Sequence, residues 1–177
     1  GVEGMTAIGH VIQNRAKDTA HAARFGQGIK GVATKSKQFS CWNPGDPNYK
    51  YAHDMEKIDQ FLKSKRAPGN QDFNTWYTKL KNTGTYLDYK LWVKSREIAK
   101  QILGGHSADP THGAVYYHTV DTHPIWRKGL HKLGRVGSHI FYKLPKAMSE
   151  NVIDEYKADN DIYNGDDLFH IPRKYNI

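Results

Sequence analysis

Gly113-Ala-Val-Tyr-Tyr-His-Thr-Val-Asp-Thr-His-Pro-Ile-Trp126 is the stretch on which the reading of this chain turns. Ala114, Tyr116 and His118 alternate with Val115, Tyr117 and Thr119. These are mostly β-branched and aromatic residues with no helical period, so a short two-faced strand is expected. Residues Asp121 to Pro124 break it. The concentration of rings and imidazoles marks it as a binding wall. Downstream, Gly129, Gly134 and Gly137 read as a linker, and Ser138-His-Ile-Phe-Tyr-Lys143 as a second strand that pairs antiparallel with the first. Strands this short need a helical body to pack on.

The upstream chain supplies that body. From Glu3 to Lys17, the residues Met5, Ile8, Val11, Ile12 and Arg15 follow the spacing of an amphipathic helix, with His10 inside it as a structural histidine. A break at Gly26-Gln-Gly28 leads into a short helical turn, Ile29 to Lys35. Residues Asp54 to Arg66 read as a second helix ended by Pro68-Gly69, with Met55, Ile58 and Leu62 on one face. Helices over Asp72 to Lys81 and Tyr86 to Leu103 follow. The last of these carries Leu87, Leu91, Ile98 and Ile102 as its apolar stripe and stops at Gly104-Gly105. Between the first helices, Gln38-Phe-Ser-Cys-Trp-Asn-Pro-Gly-Asp-Pro-Asn48 has too many turn formers for regular structure and reads as a shaped loop. Its Phe39 and Trp42 either plug the core or stack on a sugar; Asp46 fits a turn-capping role.

Composition narrows the function classes. A chain of 177 residues is enough for an ordinary core without staples. With one cysteine no internal disulfide can form, and Cys41 reads as a small buried hydrophobe. No apolar run approaches the roughly 20 residues of a membrane span. Residues 1–143 hold 22 Lys/Arg against 11 Asp/Glu, a balance of +11, and residues 144–177 hold 4 against 7, a balance of −3, which together give the +8 of the whole. The basic body favours polyanions: nucleic acid, phospholipid or the anionic polymers of a bacterial wall. The acidic segment 144–177 reads as an extension or an arm that docks on another protein.

Several chemistries find no support. The glycines are too scattered for a nucleotide-cradling loop, and neither a paired-cysteine zinc motif nor HExxH occurs. His112, His118, His123 and His139 raise a zinc site, since three imidazoles and a water hold a catalytic zinc. The spacing of His112 and His118, with no matching Asp, speaks against it, so no metal and no cofactor is expected. Nucleic-acid binding has the charge and the aromatics but lacks a recognition helix or stacking motif.

Together the blocks Glu3-Gly-Met-Thr-Ala-Ile-Gly-His-Val-Ile-Gln-Asn-Arg15, Gln38-Phe-Ser-Cys-Trp-Asn43 with Asp46-Pro-Asn48, Gly113-Ala-Val-Tyr-Tyr-His118, Pro124-Ile-Trp126 and Gly137-Ser-His-Ile-Phe-Tyr142 carry a resemblance. In this order they resemble the cell-wall hydrolases related to the spore-cortex-lytic enzyme SleB, found in bacteria and their phages. The resemblance spans about residues 1–143, which form the expected peptidoglycan-cleaving domain. It implies an α+β, lysozyme-like fold, mainly helical with a small antiparallel sheet. It also implies cleavage of the glycan of peptidoglycan, as a lytic transglycosylase or muramidase, in the periplasm or cell wall.

Family members carry a Gly-Glu-Ala-Arg-Gly-Glu-like run just ahead of the stretch matching Gly1 to Met5, and its first Glu is expected to be the acid. Three expectations follow: the acid lies on an upstream segment, Glu3 serves in its place, or the domain binds the wall, or builds a virion, without cutting. Glu3 also suits a helix N-terminus, where a carboxylate favours the dipole. Expected substrate contacts are Gln38 and Ser40 on sugar hydroxyls or the acetamido group, with Phe39, Trp42, Tyr116, Tyr117, His118 and Trp126 lining the cleft. His139 is either a cleft partner across the strands or a structural hydrogen-bonder. Alternation means that Tyr116 and Tyr117 cannot both face one ligand. A phage-encoded, virion-associated setting, with other virion or tail proteins met through the acidic segment, completes the expectation.

Overall fold

The computed structural model describes residues 1–35, 38, 39, 41 and 43–145. Ser40, Trp42 and the acidic segment from residue 146 on, for which sugar contacts and a docking arm are expected, lie outside the described residues. The described chain divides into two compact units: one takes in residues up to 40 and those from 98 on, the other residues 41–97.

The first unit is organised on helix α1, Val2–Lys17. Glu3 stands in its first turn and Arg15 and Lys17 in its last, each on the side the helix dipole favours. Ala7, Ile8, Val11, Ile12 and Arg15 are buried together, the face its periodicity predicts. His10 is buried too, with Nε2 2.9 Å from Ser107 Oγ, which is the structural role expected of it. Gly9 leaves bare backbone where the Ile102 side chain packs; a Cβ there would come within 2.5 Å of Ile102 Cδ1. After α1, a turn of 3-10 helix (Thr19–His21), α2 (Ala22–Phe25) and α3 (Gly28–Ala33) follow closely. Gly26 joins the last two at φ 100°, and a Cβ on it would lie 2.4 Å from the Gly31 carbonyl oxygen, so the turn admits glycine alone.

The sheet of this unit has three antiparallel strands, β1 (Tyr116–Thr119), β2 (His131–Val136) and β3 (His139–Lys143), in the order β1-β3-β2. The expected pairing of β1 with β3 is present, Tyr116 opposite Tyr142 and Thr119 opposite His139. The expected glycine linker is corrected: most of it is strand β2, paired with β3 from His131↔Lys143 to Val136↔His139. A bulge between Lys132 and Gly134 shifts its register, and Gly134 sits at φ 144°. That extra residue destroys the two-residue alternation from which a strand is recognised. Its exposed Lys132 and Arg135 suit an edge strand that must not pair further. A 3-10 segment, Ile125–Gly129, connects β1 to β2 and buries Trp126.

In the second unit α4 spans Pro47–Ser64, seven residues earlier than Asp54, where its start was expected. The reason is local: Asp46 caps the helix by accepting from the Asn48 N–H at 2.8 Å, and Pro47 occupies the first position. Asp46 therefore has the capping role its sequence context suggested. Helix α5, Phe73–Lys81, is capped in the same way by Asp72. Helix α6 runs from Gly84 to Leu103. Its expected stripe holds only in its last part: Ile98 and Ile102 are buried, but Leu87 and Leu91 are 52% and 40% exposed. Tyr86, Tyr89 and Trp92 instead continue a ladder of ring contacts that begins at Phe61, Trp76, Phe73 and Tyr77. Asp59 accepts from Tyr89 Oη at 2.8 Å and pairs with Lys63 and Arg96. Burial works to raise the Asp59 carboxyl, but these partners outweigh it and hold it below the ordinary value. Cys41 is buried, as expected of a small hydrophobe.

Candidate active site

The first unit presents two groups of expected site residues, one inside it and one at the end of its sheet. The inner group forms around Arg15. Its side chain is buried, with Nε donating to the Val115 carbonyl and Nη1 to Gln38 Oε1, both at 2.7 Å. Gln38 in turn donates through Nε2 to the carbonyls of Arg24 (3.1 Å) and Phe25 (2.8 Å). The guanidinium lies 5.2 Å from the centre of the Phe25 ring, 5.5 Å from Tyr116 and 5.8 Å from Phe39, a cage of π faces around a cation kept from water. Gln38 was expected to meet sugar hydroxyls. Here both ends of its amide are engaged by the chain, and Gln38 and Phe39 are buried.

Tyr116, His118 and Trp126 continue this group. Tyr116 and Trp126 are 5.5 Å apart at their ring centres, and Trp126 also meets the His118 and Tyr142 rings edge-on. His118 is 1% exposed. Its Nδ1 is 2.7 Å from the Thr119 carbonyl, which can only accept, so Nδ1 carries the proton and Nε2 accepts from Tyr142 Oη at 2.8 Å. Burial lowers its pKa, only partly opposed by the Thr119 bond, and Arg127, His123 and Lys132 push the same way as burial. Tyr117 points to the other face, against His139 (5.5 Å) and Phe141 (5.9 Å), as the strand alternation requires. Both tyrosines are buried, so the sheet is covered on both faces at β1.

The second group lies where α1 begins. Gly137, at φ 58° in the β2–β3 turn, abuts the helix: a Cβ on it would lie 3.7 Å from Gly4 Cα and N. One on Gly4 would lie 3.9 Å from His139 Nδ1. Val120 N–H donates to the Ser138 carbonyl at 2.9 Å, so the Asp121 turn leaves the sheet at the same end. Glu3 and Asp121, the exposed carboxylates among this unit's described residues, therefore each adjoin a residue that touches the Gly137-Ser138 turn. The other two acids of the unit are engaged. Asp18 pairs with His21 Nδ1 at 2.8 Å, and Asp109 accepts from Thr111, Asn14 and Gly113. Burial alone would raise Asp109; those bonds prevail and keep it low.

Thus Gln38, Phe39, Tyr116, His118 and Trp126 are brought together, Tyr117 joins His139, and Gly4, the residue after Glu3, lies beside His139 at the sheet end. Sequence reasoning missed Asn14 and Asp109, which pin the loop leading into β1, and it read Asp121 only as a strand breaker. No local pattern distinguishes such an Asp from any other turn residue. Among the described residues, no three His, Cys, Asp or Glu side chains are grouped to hold a metal ion.

These features define the class: an α+β protein, lysozyme-like, mainly helical with a small antiparallel sheet. A family model described as Cell Wall Hydrolase matches residues 1–142, and the chain belongs to that family, with the SleB-like cell-wall hydrolases. No curated protein and no solved structure matches it. Membership makes peptidoglycan the substrate and the cell wall the place of action. Among the described residues, no helix is long and apolar enough to cross a membrane.

Proposed function

We propose that this chain cuts the glycan strand of peptidoglycan as a lytic transglycosylase, with Glu3 as the proton donor. The observation that carries the reading is the packing of Gly4 on Gly137, with a Cβ on the latter 3.7 Å from Gly4 Cα. It supports a site in which the acid-bearing first turn of α1, His139 and the Asp121 turn lie around one end of the sheet.

In this reading Glu3 protonates the glycosidic oxygen, which leaves as a hydroxyl of the next sugar while the substrate's N-acetyl oxygen bonds to the anomeric carbon; the Glu3 carboxylate then takes the proton of the muramic acid's C6 hydroxyl as that oxygen attacks the same carbon, displaces the N-acetyl oxygen and closes the anhydro ring. One carboxyl is enough for that route, whereas hydrolysis ordinarily uses two. Glu3 is exposed in the free chain. A glycan laid over the first turn of α1 would cover it and exclude water. Arg15, Gln38, Tyr116, His118 and Trp126 act here as the rigid floor beneath the site, and Ser40 and Trp42 keep their place as proposed sugar contacts. A phage-encoded, virion-borne setting belongs to the same reading. The acidic balance of −3 over residues 144–177, against +11 over 1–143, supports docking through that segment.

The test is digestion of purified sacculi, with products identified by mass spectrometry. Anhydromuropeptides are expected, and Glu3→Gln is expected to slow their release by about 10²- to 10⁴-fold, the usual worth of a general acid. Undiminished release by that variant would remove Glu3 from the role. Reducing ends would make the enzyme a muramidase, for which Asp121 is the second carboxylate. Binding without release would leave a non-catalytic wall-binding module.

A further inference from the structure

The stretch formed by α5 and the first part of α6 carries exposed charge of one sign. Between Phe73 and Leu91 stand Lys79, Lys81 and Lys90, all exposed, and the single acid of that stretch, Asp88, is 1% exposed. Elsewhere in the same unit Lys50, Lys63 and Lys94 pair with Asp54, Asp59 and Glu97. None of the three lysines of the α5–α6 stretch has such a carboxylate partner among the described residues.

Two of them are held in a repeated arrangement. Tyr77 and Lys81 stand four residues apart on α5, and Tyr86 and Lys90 four apart on α6, the spacing that places two side chains on one helix face. Lys81 Nζ lies 4.6 Å from the centre of the Tyr77 ring, and Lys90 Nζ 5.5 Å from that of Tyr86. The two rings meet edge-on at 6.1 Å with their hydroxyl oxygens 3.3 Å apart, so the two tyrosine–lysine pairs make one cluster. A ring face orients an ammonium without neutralising it, and leaves its N–H donors to an outside acceptor. The phenols hold two protons between them; one lies between the oxygens, and the other has no acceptor among the described residues. Both tyrosines are only half-buried, so the cluster is open to solvent.

Two cations and a spare O–H, with no exposed acid beside them, suit an oxyanion such as a phosphate. On the neighbouring face of α6, Leu87 and Leu91 are 52% and 40% exposed, which sets apolar surface alongside the cations. That combination fits a chain in which anionic groups alternate with carbon-rich units better than it fits a free ion. The protein acts at the cell wall, where chains of that kind are the phosphodiester-linked polymers. We infer that the Tyr77, Lys81, Tyr86 and Lys90 cluster docks a phosphodiester-linked polyol of the bacterial wall, whose phosphate oxygens accept from both ammonium groups and from the spare phenol O–H. The identity of the partner rests on the family's place of action, and not on Glu3 or the transglycosylase reading.

The test titrates the full chain with a glycerol phosphate oligomer and follows backbone amide shifts by NMR. Shifts are expected at residues 77–91, and binding is expected to weaken as salt is raised. The double variant Lys81→Gln with Lys90→Gln, altered only at exposed side chains, is expected to bind about tenfold more weakly or worse, the worth of one charge-assisted hydrogen bond. Lys81→Arg with Lys90→Arg should retain most of the affinity, and Tyr77→Phe with Tyr86→Phe, which keeps the rings, should lose a smaller part. The melting temperature of each variant shows that it folds. Shifts confined to other residues, or unchanged affinity in the folded Gln variant, would overturn the docking cluster. So would equal binding of the uncharged tri-N-acetylchitotriose at these amides, or tighter binding there of a single-stranded oligonucleotide with the same number of phosphates.

Sacculi with and without their phosphate polymers separate this inference from the catalytic proposal. Glu3→Gln is expected to bind the oligomer like the parent chain. The Lys81/Lys90 Gln variant is expected to cleave stripped sacculi at the parent rate and to lose only its retention on intact ones. Oligomer bound at residues 77–91 without any glycan cleavage would defeat the catalytic proposal and support the docking cluster; cleavage without shifts at these residues would do the reverse.

Discussion

Arg15 shows how a charged side chain can organise a core. Its two 2.7 Å hydrogen bonds tie α1 to the start of β1 and to Gln38, and three rings face its guanidinium. Replacing it by Leu would leave Gln38 Oε1 and the Val115 carbonyl as buried acceptors without donors. At about 1–3 kcal/mol for each, the loss is expected to reach about 2–6 kcal/mol, read by urea denaturation. Arg15→Lys keeps the charge but not the fork, and should recover only part of it. The residue types around this tie were legible: Gln38, Tyr116, His118 and Trp126 all lie in the stretches singled out from the sequence. Their direction was not legible. Each carries both an apolar body and a polar tip, and only the partner found across the fold decides whether that tip meets a sugar or the chain itself.

Elements were recovered where a local rule governs them. Helix α1 and helices α5 and α6 fall within two residues of their expected bounds because periodicity and end signals agree. Helix α4 began early because Asp46-Pro47, read as a turn, is also a cap followed by a first-position proline. Asp46→Ala should lose the 2.8 Å bond to the Asn48 N–H and about 0.5–2 kcal/mol of stability, measurable by thermal melting with far-UV circular dichroism. The Leu87–Leu91 stripe misled because a neighbouring face of α6, with the half-buried rings of Tyr86, Tyr89 and Trp92, makes the ring contacts of the second unit instead. Strand β2 escaped notice because a bulge breaks its period and its pairing partner, not its own sequence, holds it as a strand.

For the molecule as a whole, two buried histidines set an acid limit on stability. Burial lowers both His118 and His10 beneath the ordinary value of 6.5; for His10, Asp109 partly opposes and Lys17 assists. Above pH 6.5 both residues are neutral whether the chain is folded or not. As pH falls below that value, the unfolded chain takes up protons that the folded chain refuses, so stability declines until the folded pKa values are passed. The melting temperature is therefore expected to drop between pH 7 and pH 5, and His118→Gln should make that drop shallower, as scanning calorimetry across the range would show. The ordered motif blocks, the helical periods of α1 and α5, the lone cysteine and the basic body were all determined by the sequence alone, because each depends on residues near one another in the chain or on a sum over it. The third strand, the inward turn of the Gln38–Tyr116–His118–Trp126 group and the meeting of Gly4 with Gly137 were decided only by the tertiary structure. Those features are contacts between residues up to about a hundred and thirty positions apart, and a hydrogen bond or a packed ring has no signature until its partner is in place.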